Sequence, residues 1–178
     1  MLRVVAGRHG GRRLKTPPGR DTRPTADRVR EALFSILGPI SETARVLDLF
    51  AGSGALGIEA LSRGAAAATF VERDRRAAEV VRENLRAIEA EQEVVVADAL
   101  RWLGERAGEA AYDLVFLDPP YDSARRLARP LSERLPGVLA AGALIVTESD
   151  KRTPLMLDLP LETERTYGDT RIAIHHGA

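Results

Sequence analysis

Residues 46–57 constrain the fold of this chain more than any other stretch. They read Val-Leu-Asp-Leu-Phe-Ala-Gly-Ser-Gly-Ala-Leu-Gly, which is typical of a buried parallel strand, a glycine turn and the start of a helix. Gly52 and Gly54 let the backbone turn tightly and approach a ligand without a Cβ in the way. Asp48 interrupts the apolar run, where a carboxylate is costly unless something binds it. The stretch therefore predicts a ligand site at the end of a buried strand.

Two cofactor classes fit this stretch. Residues 52–57 match G-x-G-x-x-G, and Glu72 lies 20 residues after Gly52, as in the dinucleotide fingerprint. The same spacing fits the S-adenosylmethionine (AdoMet) site of Rossmann-like methyltransferases. In both classes Glu72 is placed to accept hydrogen bonds from two ribose hydroxyls, and the alternative is a surface charge at a strand end. The glycine motif alone leaves both cofactors open.

The remainder of the chain predicts an α/β fold. Strand and helix patterns alternate from residue 44, which indicates βαβ units and a mostly parallel, Rossmann-like sheet. The predicted strands are 45–50, 67–72, 93–97, 112–117 and 143–148, and the predicted helices are 26–37, 55–63, 75–90, 99–107 and 123–134, with a short turn near 135–140. Two further strand-like runs, 161–167 and 170–176, predict a C-terminal antiparallel hairpin. We expect a single domain over residues 1–178, in which residues 1–24 are a basic extension.

Polar residues at the predicted strand ends form one set, because ligands of doubly wound sheets bind beyond the carboxyl ends of the strands. Asp98 is predicted to accept from an adenine amino group, with the Ala99 N–H on a ring nitrogen, or to cap the helix at 99–107, and both roles are compatible. Asp48 is predicted to hold a cationic methionine end, directly or through water, or else to bond to the turn. The predicted cofactor-binding residues are Asp48, Phe50, Ala51, Gly52, Gly54, Glu72, Arg73, Asp98, Ala99 and Asp118.

The loop Asp118-Pro119-Pro120-Tyr121 favours a methyltransferase, because it directly follows the apolar strand at 112–117. Two prolines fix the backbone and remove two N–H donors, so the loop presents carbonyl oxygens. An exocyclic base amine is a poor nucleophile, and a carboxylate with a fixed carbonyl would orient it toward a methyl donor while an aromatic ring stacks on the base. The alternative is a rigid turn. The predicted catalytic residues are Asp118, Pro119, Pro120 and Tyr121.

Positive charge is concentrated at the N-terminus. Residues 1–31 carry nine basic and three acidic side chains, so this segment has a net charge of +6 in a chain whose total is zero. Runs at 2–6 and 12–16 predict a small arginine-rich β-hairpin, followed by a loop and a helix with Thr25 as its N-cap. A basic arm on a mildly acidic body indicates a polyanionic partner such as nucleic acid, with a solvated basic tail as the alternative.

Composition excludes several classes of protein. The chain has no cysteine, so it has no disulfide, no cysteine zinc site and no thiol nucleophile. It has no apolar run long enough to span a membrane and no signal-peptide pattern at its start, so we expect a cytoplasmic protein without a membrane partner.

The chain resembles the RsmD-type methyltransferases, which use AdoMet to methylate a guanine N2 of 16S rRNA in the small ribosomal subunit. The resemblance covers nearly the full length and rests on residues 3–7, 23–34, 47–60, 70–72 and 118–121. The Arg-Pro-Thr-x-Asp-x-Val-Arg-Glu block at 23–31 is far more specific to this family than the glycine motif or D-P-P-Y. The resemblance implies a seven-stranded sheet with an antiparallel last strand. It also implies rRNA contacts, for which the candidates are Arg3, Arg8, Arg12, Arg13, Arg23, Thr25, Arg28 and Arg30; the alternative for the last two arginines is pairing with Asp27 or Glu31.

The resulting prediction is an enzyme that transfers a methyl group from AdoMet to the exocyclic N2 of one guanine in 16S rRNA, as a monomer and without a metal. A rival in the same chemistry is an adenine-N6 methyltransferase on DNA or RNA, since D-P-P-Y serves both. Rivals from other classes are an NAD-dependent oxidoreductase and a non-catalytic RNA-binding assembly factor.

Overall fold

The computed structural model describes residues 1–19, 25–109 and 111–177, and these ranges contain one seven-stranded sheet. Its strands are β1 (Arg45–Asp48), β2 (Ala67–Glu72), β3 (Glu93–Val96), β4 (Tyr112–Leu117), β5 (Leu139–Asp150), β6 (Leu161–Tyr167) and β7 (Thr170–His176). The strand order is β3-β2-β1-β4-β5-β7-β6. Strands β1 to β5 pair in parallel, whereas β7 is antiparallel to both β5 and β6. The predicted Rossmann-like sheet with an antiparallel C-terminal hairpin is confirmed.

Every predicted helix is present, although several ends differ. The helices are α1 (Thr25–Leu37), α2 (Ala55–Ser62), α3 (Arg75–Ala87), α4 (Ala99–Glu105) and α5 (Ala124–Arg134), with 3₁₀ helices at Tyr121–Ser123 and Leu135–Val138. Helix α3 ends three residues before the predicted end, because Glu89 adopts a φ of 55° and the Ala90 N–H turns back to the Leu85 carbonyl. Glycine usually occupies such a left-handed position, so the sequence carries no signal for this end.

Three strands also have different bounds from those predicted, and the smallest difference is in β3, which ends one residue early, at Val96. Strand β1 is two residues shorter, since the chain enters the glycine turn directly after Asp48. Strand β5 is longer, because Leu139 already pairs with Tyr112, before a bulge that precedes the regular pairing of Leu114 with Leu144. The sequence does not predict this irregular start, because residues around a bulge do not alternate between apolar and polar.

The N-terminal hairpin is present, but the predicted strands at 2–6 and 12–16 are wrong in their length: the arms pair only around the Arg3–Arg13 bridge, where Leu2 and Val4 bond to the second arm. The pairing stops there because the first arm bonds to α2 from Val5 onward. The Val5 and Ala6 N–H groups donate to the Glu59 carboxylate at 2.7 and 3.0 Å. The hairpin is therefore fastened to the helix that begins at the glycine turn, and it is not a free tail.

Apolar side chains fill both faces of the sheet. One cluster packs under α1, α2, α3 and the hairpin, and the other packs under α4 and α5. Val46, Phe116 and Val146 belong to the first cluster, whereas their neighbours Leu47 and Ile145 belong to the second. We call the first side of the sheet the α1 face. No helix in the described ranges is both long and apolar enough to cross a membrane.

Candidate active site

The turn after β1 requires glycine at three positions. Gly52 and Gly54 have φ values of 57° and 79°, in the left-handed region that side chains disfavour. Gly57 lies in the first turn of α2, where a Cβ would sit 2.4 Å from Cε1 of Phe70 in β2. The first two glycines therefore shape the loop, and the third allows α2 to pack on the sheet. This is the division of roles found in nucleotide-binding βα turns.

Glu72 ties the glycine turn to the end of β2. Its side chain is buried, with 6% of the residue exposed. One carboxylate oxygen accepts from the Gly52 N–H at 2.9 Å, and the other accepts from the Asp74 N–H at 2.9 Å. Each oxygen keeps a further lone pair for a ligand hydroxyl. Glu72 is therefore not the surface charge that the sequence left as an alternative.

Asp48 lies beneath the turn and is 2% exposed. Its carboxyl accepts from the Gly57 N–H at 3.0 Å, so the predicted bond to the turn is present. Burial raises the pKa of Asp48 to about 8; the Gly57 N–H opposes this shift, and the charges of Asp118 and Glu72 add to it. A cation bound nearby would favour the ionised form of this carboxyl.

A cleft opens at the carboxyl ends of the first three strands, and half of the predicted cofactor residues line it. Its lining is Leu49, Phe50, Val71, Glu72, Arg73, Ala97, Asp98, Ala99, Pro120, Ser123, Arg126 and Leu127. The apolar part suits an adenine ring, and the Glu72 carboxylate suits a ribose, so the lining fits the adenosine half of AdoMet. Ala51, Gly52 and Gly54 form the adjoining turn and are not part of this lining.

The structure also adds residues that the sequence interpretation omitted. Ser123, Arg126 and Leu127 enter the cleft from the 3₁₀ turn and the start of α5. The signal was available, because the predicted helix at 123–134 directly follows the D-P-P-Y loop.

Asp98 caps α4, as one of its two predicted roles required. Its Oδ1 accepts from the Arg101 N–H at 3.0 Å. The residue is exposed and also lines the cleft, so its second oxygen is available to a ligand. The cap and an adenine contact are thus compatible.

The D-P-P-Y loop begins directly after β4. Pro119 is buried, and Pro120 lines the cleft. Tyr121 starts a 3₁₀ helix that is closed by a 2.9 Å bond from the Ser123 N–H to the Pro120 carbonyl. The tyrosine is 37% exposed, which leaves ring surface for stacking.

The sequence interpretation missed Glu148. Its neighbour Thr147 pairs with Leu117, so Glu148 of β5 lies beside Asp118, the residue directly after β4. Burial raises the pKa of Glu148 to about 8; the Asp118 charge adds to the shift and the Arg30 charge opposes it. The predicted strand at 143–148 ends in this carboxylate, so the strand-end argument, applied to a fifth strand, would have found it.

Most of the candidate RNA-binding residues that the structure describes are exposed arginines. Arg8, Arg12 and Arg13 are exposed on the hairpin, and Arg28 is exposed on α1. Arg3 is also exposed, with its guanidinium 3.6 Å from the Asp27 carboxylate. Arg23 and the side chain of Thr25 lie outside the described residues.

Arg30 requires a correction. It is only 5% exposed, and its guanidinium donates to the Asp27 carboxylate at 2.8 Å and to the Arg3 carbonyl at 2.6 Å. The alternative of pairing with Asp27 is therefore observed, and Arg30 leaves the RNA-binding set. Pattern alone could not separate the two roles, because the docked hairpin is what buries this side chain.

The sheet order, the glycine turn, the Glu72 carboxylate and the D-P-P-Y loop together define an AdoMet-dependent methyltransferase of class I. The structure of TTHA0928 from Thermus thermophilus superposes with a TM-score of 0.83 and 34% identity, over 98% of this chain and 99% of that chain. The fold is also shared with the T. thermophilus 16S rRNA N2 G1207 methyltransferase RsmC, solved in complex with AdoMet and guanosine. For RsmC the TM-score is 0.70 and the identity 22%, over 90% of this chain and 45% of that chain.

The chain belongs to the RsmD family. The model of this family, described as Conserved hypothetical protein 95, matches residues 2–176. Ribosomal RNA small subunit methyltransferase D of Escherichia coli strain K12 is 42% identical over 153 residues, which are 84% of this chain and 75% of that protein. The resemblance drawn from the sequence motifs is confirmed.

Proposed function

We propose that this protein transfers a methyl group from AdoMet to the exocyclic N2 of one guanine in the 16S rRNA of the small ribosomal subunit. The observation that carries the proposal is that Pro120 of the D-P-P-Y loop lines the same cleft as Glu72 and Asp98. A base held by this loop would lie next to the cofactor. The relationship to the E. coli small subunit methyltransferase supports rRNA as the substrate.

The cofactor contacts follow from the strand ends. Glu72 accepts from the ribose hydroxyls, Asp98 and the Ala99 N–H contact the adenine edge, and Arg73 and Phe50 border the ring. Asp48 faces the positively charged methionine end, directly or through water, and Ala51, Gly52 and Gly54 offer backbone close to it. Bound AdoMet supplies an electrophilic methyl group on a positively charged sulfur.

The D-P-P-Y loop positions the nucleophile. Asp118 and the Pro119 carbonyl accept the two N2 hydrogens, while Tyr121 stacks on the extruded base. The N2 lone pair forms the new C–N bond as the C–S bond breaks, the sulfur keeps the bonding electrons, and one N2 proton leaves to solvent. Asp118 stabilises the positive charge that develops on nitrogen during this transfer.

The basic hairpin binds rRNA phosphates. Arg8, Arg12 and Arg13 are exposed on the hairpin, and Arg3 and Arg28 are exposed as well. Such contacts position the enzyme on RNA and carry no base specificity. Arg23 and Thr25 belong to the family block and are proposed as contacts near the target. We expect the enzyme to act in the cytoplasm, as a monomer and without a metal.

Methyl-transfer assays on separated 16S rRNA, 23S rRNA, small subunits and DNA, followed by nucleoside analysis, test this function. The proposal predicts N2-methylguanosine in 16S rRNA or small subunits only. Recovery of N6-methyladenosine would support the adenine-methylating rival instead. Calorimetry with NADH and AdoMet separates the remaining rivals, since an oxidoreductase binds NADH and a non-catalytic RNA-binding factor binds neither.

A further inference from the structure

Glu148 is a carboxyl group of the active-site region to which the proposed methyl transfer gives no role. It occupies the position in β5 that adjoins Asp118, the residue directly after β4, since Leu117 and Thr147 are paired just before them. Side chains alternate along a strand, and Val146 lies on the α1 face. Glu148 therefore points to the α1 face, as Asp118 does two residues after Phe116. Neighbouring strands lie about 4.8 Å apart, so the two carboxyl groups can contact one small ligand.

Among the described residues, no donor forms a hydrogen bond or an ion pair with the Glu148 carboxyl. Its partner on the other side, in β7, is Ile172, which is apolar. Arg30 of α1 is the cation that acts on Glu148, but its guanidinium bonds to Asp27 and to the Arg3 carbonyl. A largely buried carboxyl without an internal partner lowers stability, so a bound group that donates to it would explain its presence.

Guanine has a suitable donor beside the reacting amine. Its N1–H and its N2 amino group are adjacent on the Watson–Crick edge, whereas adenine has an acceptor at N1. Asp118 and the Pro119 carbonyl are occupied with the two N2 hydrogens in the proposed mechanism. The N1–H then needs a separate acceptor on the same side of the base, and Glu148 adjoins Asp118 on that side.

We propose that Glu148 accepts the N1–H of the target guanine and thereby selects guanine over purines whose N1 carries no hydrogen. This inference rests on the proposed function, and it assigns to β5 the base selection that D-P-P-Y alone does not provide. Because the pKa of Glu148 is about 8, its carboxyl is mostly ionised only above that pH, where it repels the N1 lone pair of adenine or 2-aminopurine. Asp118 orients the amine in either kind of base, so the two carboxylates have different tasks.

The test compares guanine with 2-aminopurine, which keeps the C2 amine but has an unprotonated N1. Small subunits are reconstituted with 16S rRNA that carries either base at the mapped target position. At pH 9, where Glu148 is mostly ionised, we expect the unsubstituted enzyme to methylate 2-aminopurine about 10- to 100-fold more slowly than guanine, the range for one good base-edge contact. In Glu148→Gln, the amide can donate to N1 as well as accept, so this preference should fall below about threefold.

Controls separate selection from folding. AdoMet binding by calorimetry should be unchanged in Glu148→Gln, and Glu133→Gln, an exposed ion-pair variant of α5, should keep the full preference. Glu148→Met, which removes the acceptor without adding a donor, replaces the glutamine variant if that protein does not fold. It should also lose the preference.

Two results would overturn the inference. One is an unsubstituted enzyme that methylates both bases equally well. The other is a variant that loses both activities by the same factor and so keeps its preference. Failure of the proposed function is a distinct result, because the unsubstituted enzyme would then form no N2-methylguanosine on guanine-containing subunits.

Discussion

Three carboxyl groups crowd one corner of the α1 face. Asp48 ends β1, Asp118 directly follows β4, and Glu148 lies beside Asp118 in β5. The Asp118 charge raises the pKa of both of the others. Such a site is destabilised by its own negative charge and attracts cations. The positive charge of AdoMet and the positive charge that develops on the attacking nitrogen both reduce the repulsion among these carboxylates. The crowding therefore links cofactor binding to protonation.

Binding of AdoMet should release a proton from Asp48. The pKa of Asp48 in the free protein is about 8, so the carboxyl is mostly neutral below that pH, and a bound cation favours its ionised form. AdoMet affinity should rise by up to about tenfold per pH unit toward pH 8 and then level off. Calorimetry at pH 7 in buffers of different ionisation enthalpy measures the released proton. Asp48→Asn should lack it, and equal proton release from both proteins would contradict the assignment.

Asp118→Ala should lower kcat by roughly 1000-fold, the range for the loss of one electrostatic group that acts on the transition state. AdoMet should still bind, because Glu72 and the cleft that holds the adenosine half remain. Single-turnover methyl transfer and calorimetry measure the two quantities. Asp113→Asn is the matched control at the other end of β4, where the carboxylate only accepts from the Arg45 N–H. An Asp118→Ala protein with near-normal turnover would refute the mechanism.

The position of a site residue was predictable from the sequence where a polar side chain of a ligand-binding motif lies at or near the end of a predicted strand. Asp48, Glu72, Asp98 and Asp118 follow this rule, and the structure places all four at the same edge of the sheet. Arg30 was not predictable, because its burial depends on a hairpin that docks across α1 and α2. The bond from the Gly52 N–H to one Glu72 oxygen was also not predictable, since Gly52 lies 20 residues earlier in the chain.

Helix α2 connects the glycine turn to the rest of the site through one close contact. Gly57→Ala would place a Cβ 2.4 Å from the Phe70 ring, so α2 must move away from β2. We expect a loss of about 1–3 kcal/mol of unfolding free energy and weaker AdoMet binding. Chemical denaturation and calorimetry measure these effects.

Two further variants test the cause of that loss. Phe70→Leu should restore part of the Gly57→Ala stability, because it removes the ring carbons that clash. Gly104→Ala lies in α4, where a Cβ would come no closer than 3.9 Å to Arg134 Nη1, and it should be neutral or slightly stabilising. Additive losses in the Gly57–Phe70 double variant would show that the contact is not responsible.

Among the secondary-structure elements, alternation of apolar patterns was sufficient for the parallel sheet and its helices. Strand β2 has the predicted bounds, and Asp74 caps α3 by accepting from the Arg76 and Ala77 N–H groups. The N-terminal hairpin differed because the partners of the Val5 and Ala6 N–H groups lie more than 50 residues away, on α2. A local pattern cannot distinguish a strand that pairs with its neighbour from one that bonds to a distant helix.

The whole chain is neutral, yet its N-terminal part is strongly basic, and this asymmetry should dominate RNA affinity. Replacing Arg8, Arg12 and Arg13 by alanine should weaken rRNA binding and reduce the slope of log affinity against log salt by about 2–3, if each contacts one phosphate. Filter binding at several salt concentrations measures the slope. Arg129→Ala on α5, whose guanidinium pairs with Glu133 at 2.8 Å, is the control. An unchanged slope in the triple variant would remove the hairpin from the RNA interface.

The most direct test of the proposed reaction is labelled methyl transfer to small subunits that lack the modification, followed by nucleoside analysis and mapping. The proposed function predicts one methyl group per subunit, recovered as N2-methylguanosine at a single position of the 16S rRNA and absent with Asp118→Ala. Label recovered as N6-methyladenosine, or no label although AdoMet binds, would contradict it.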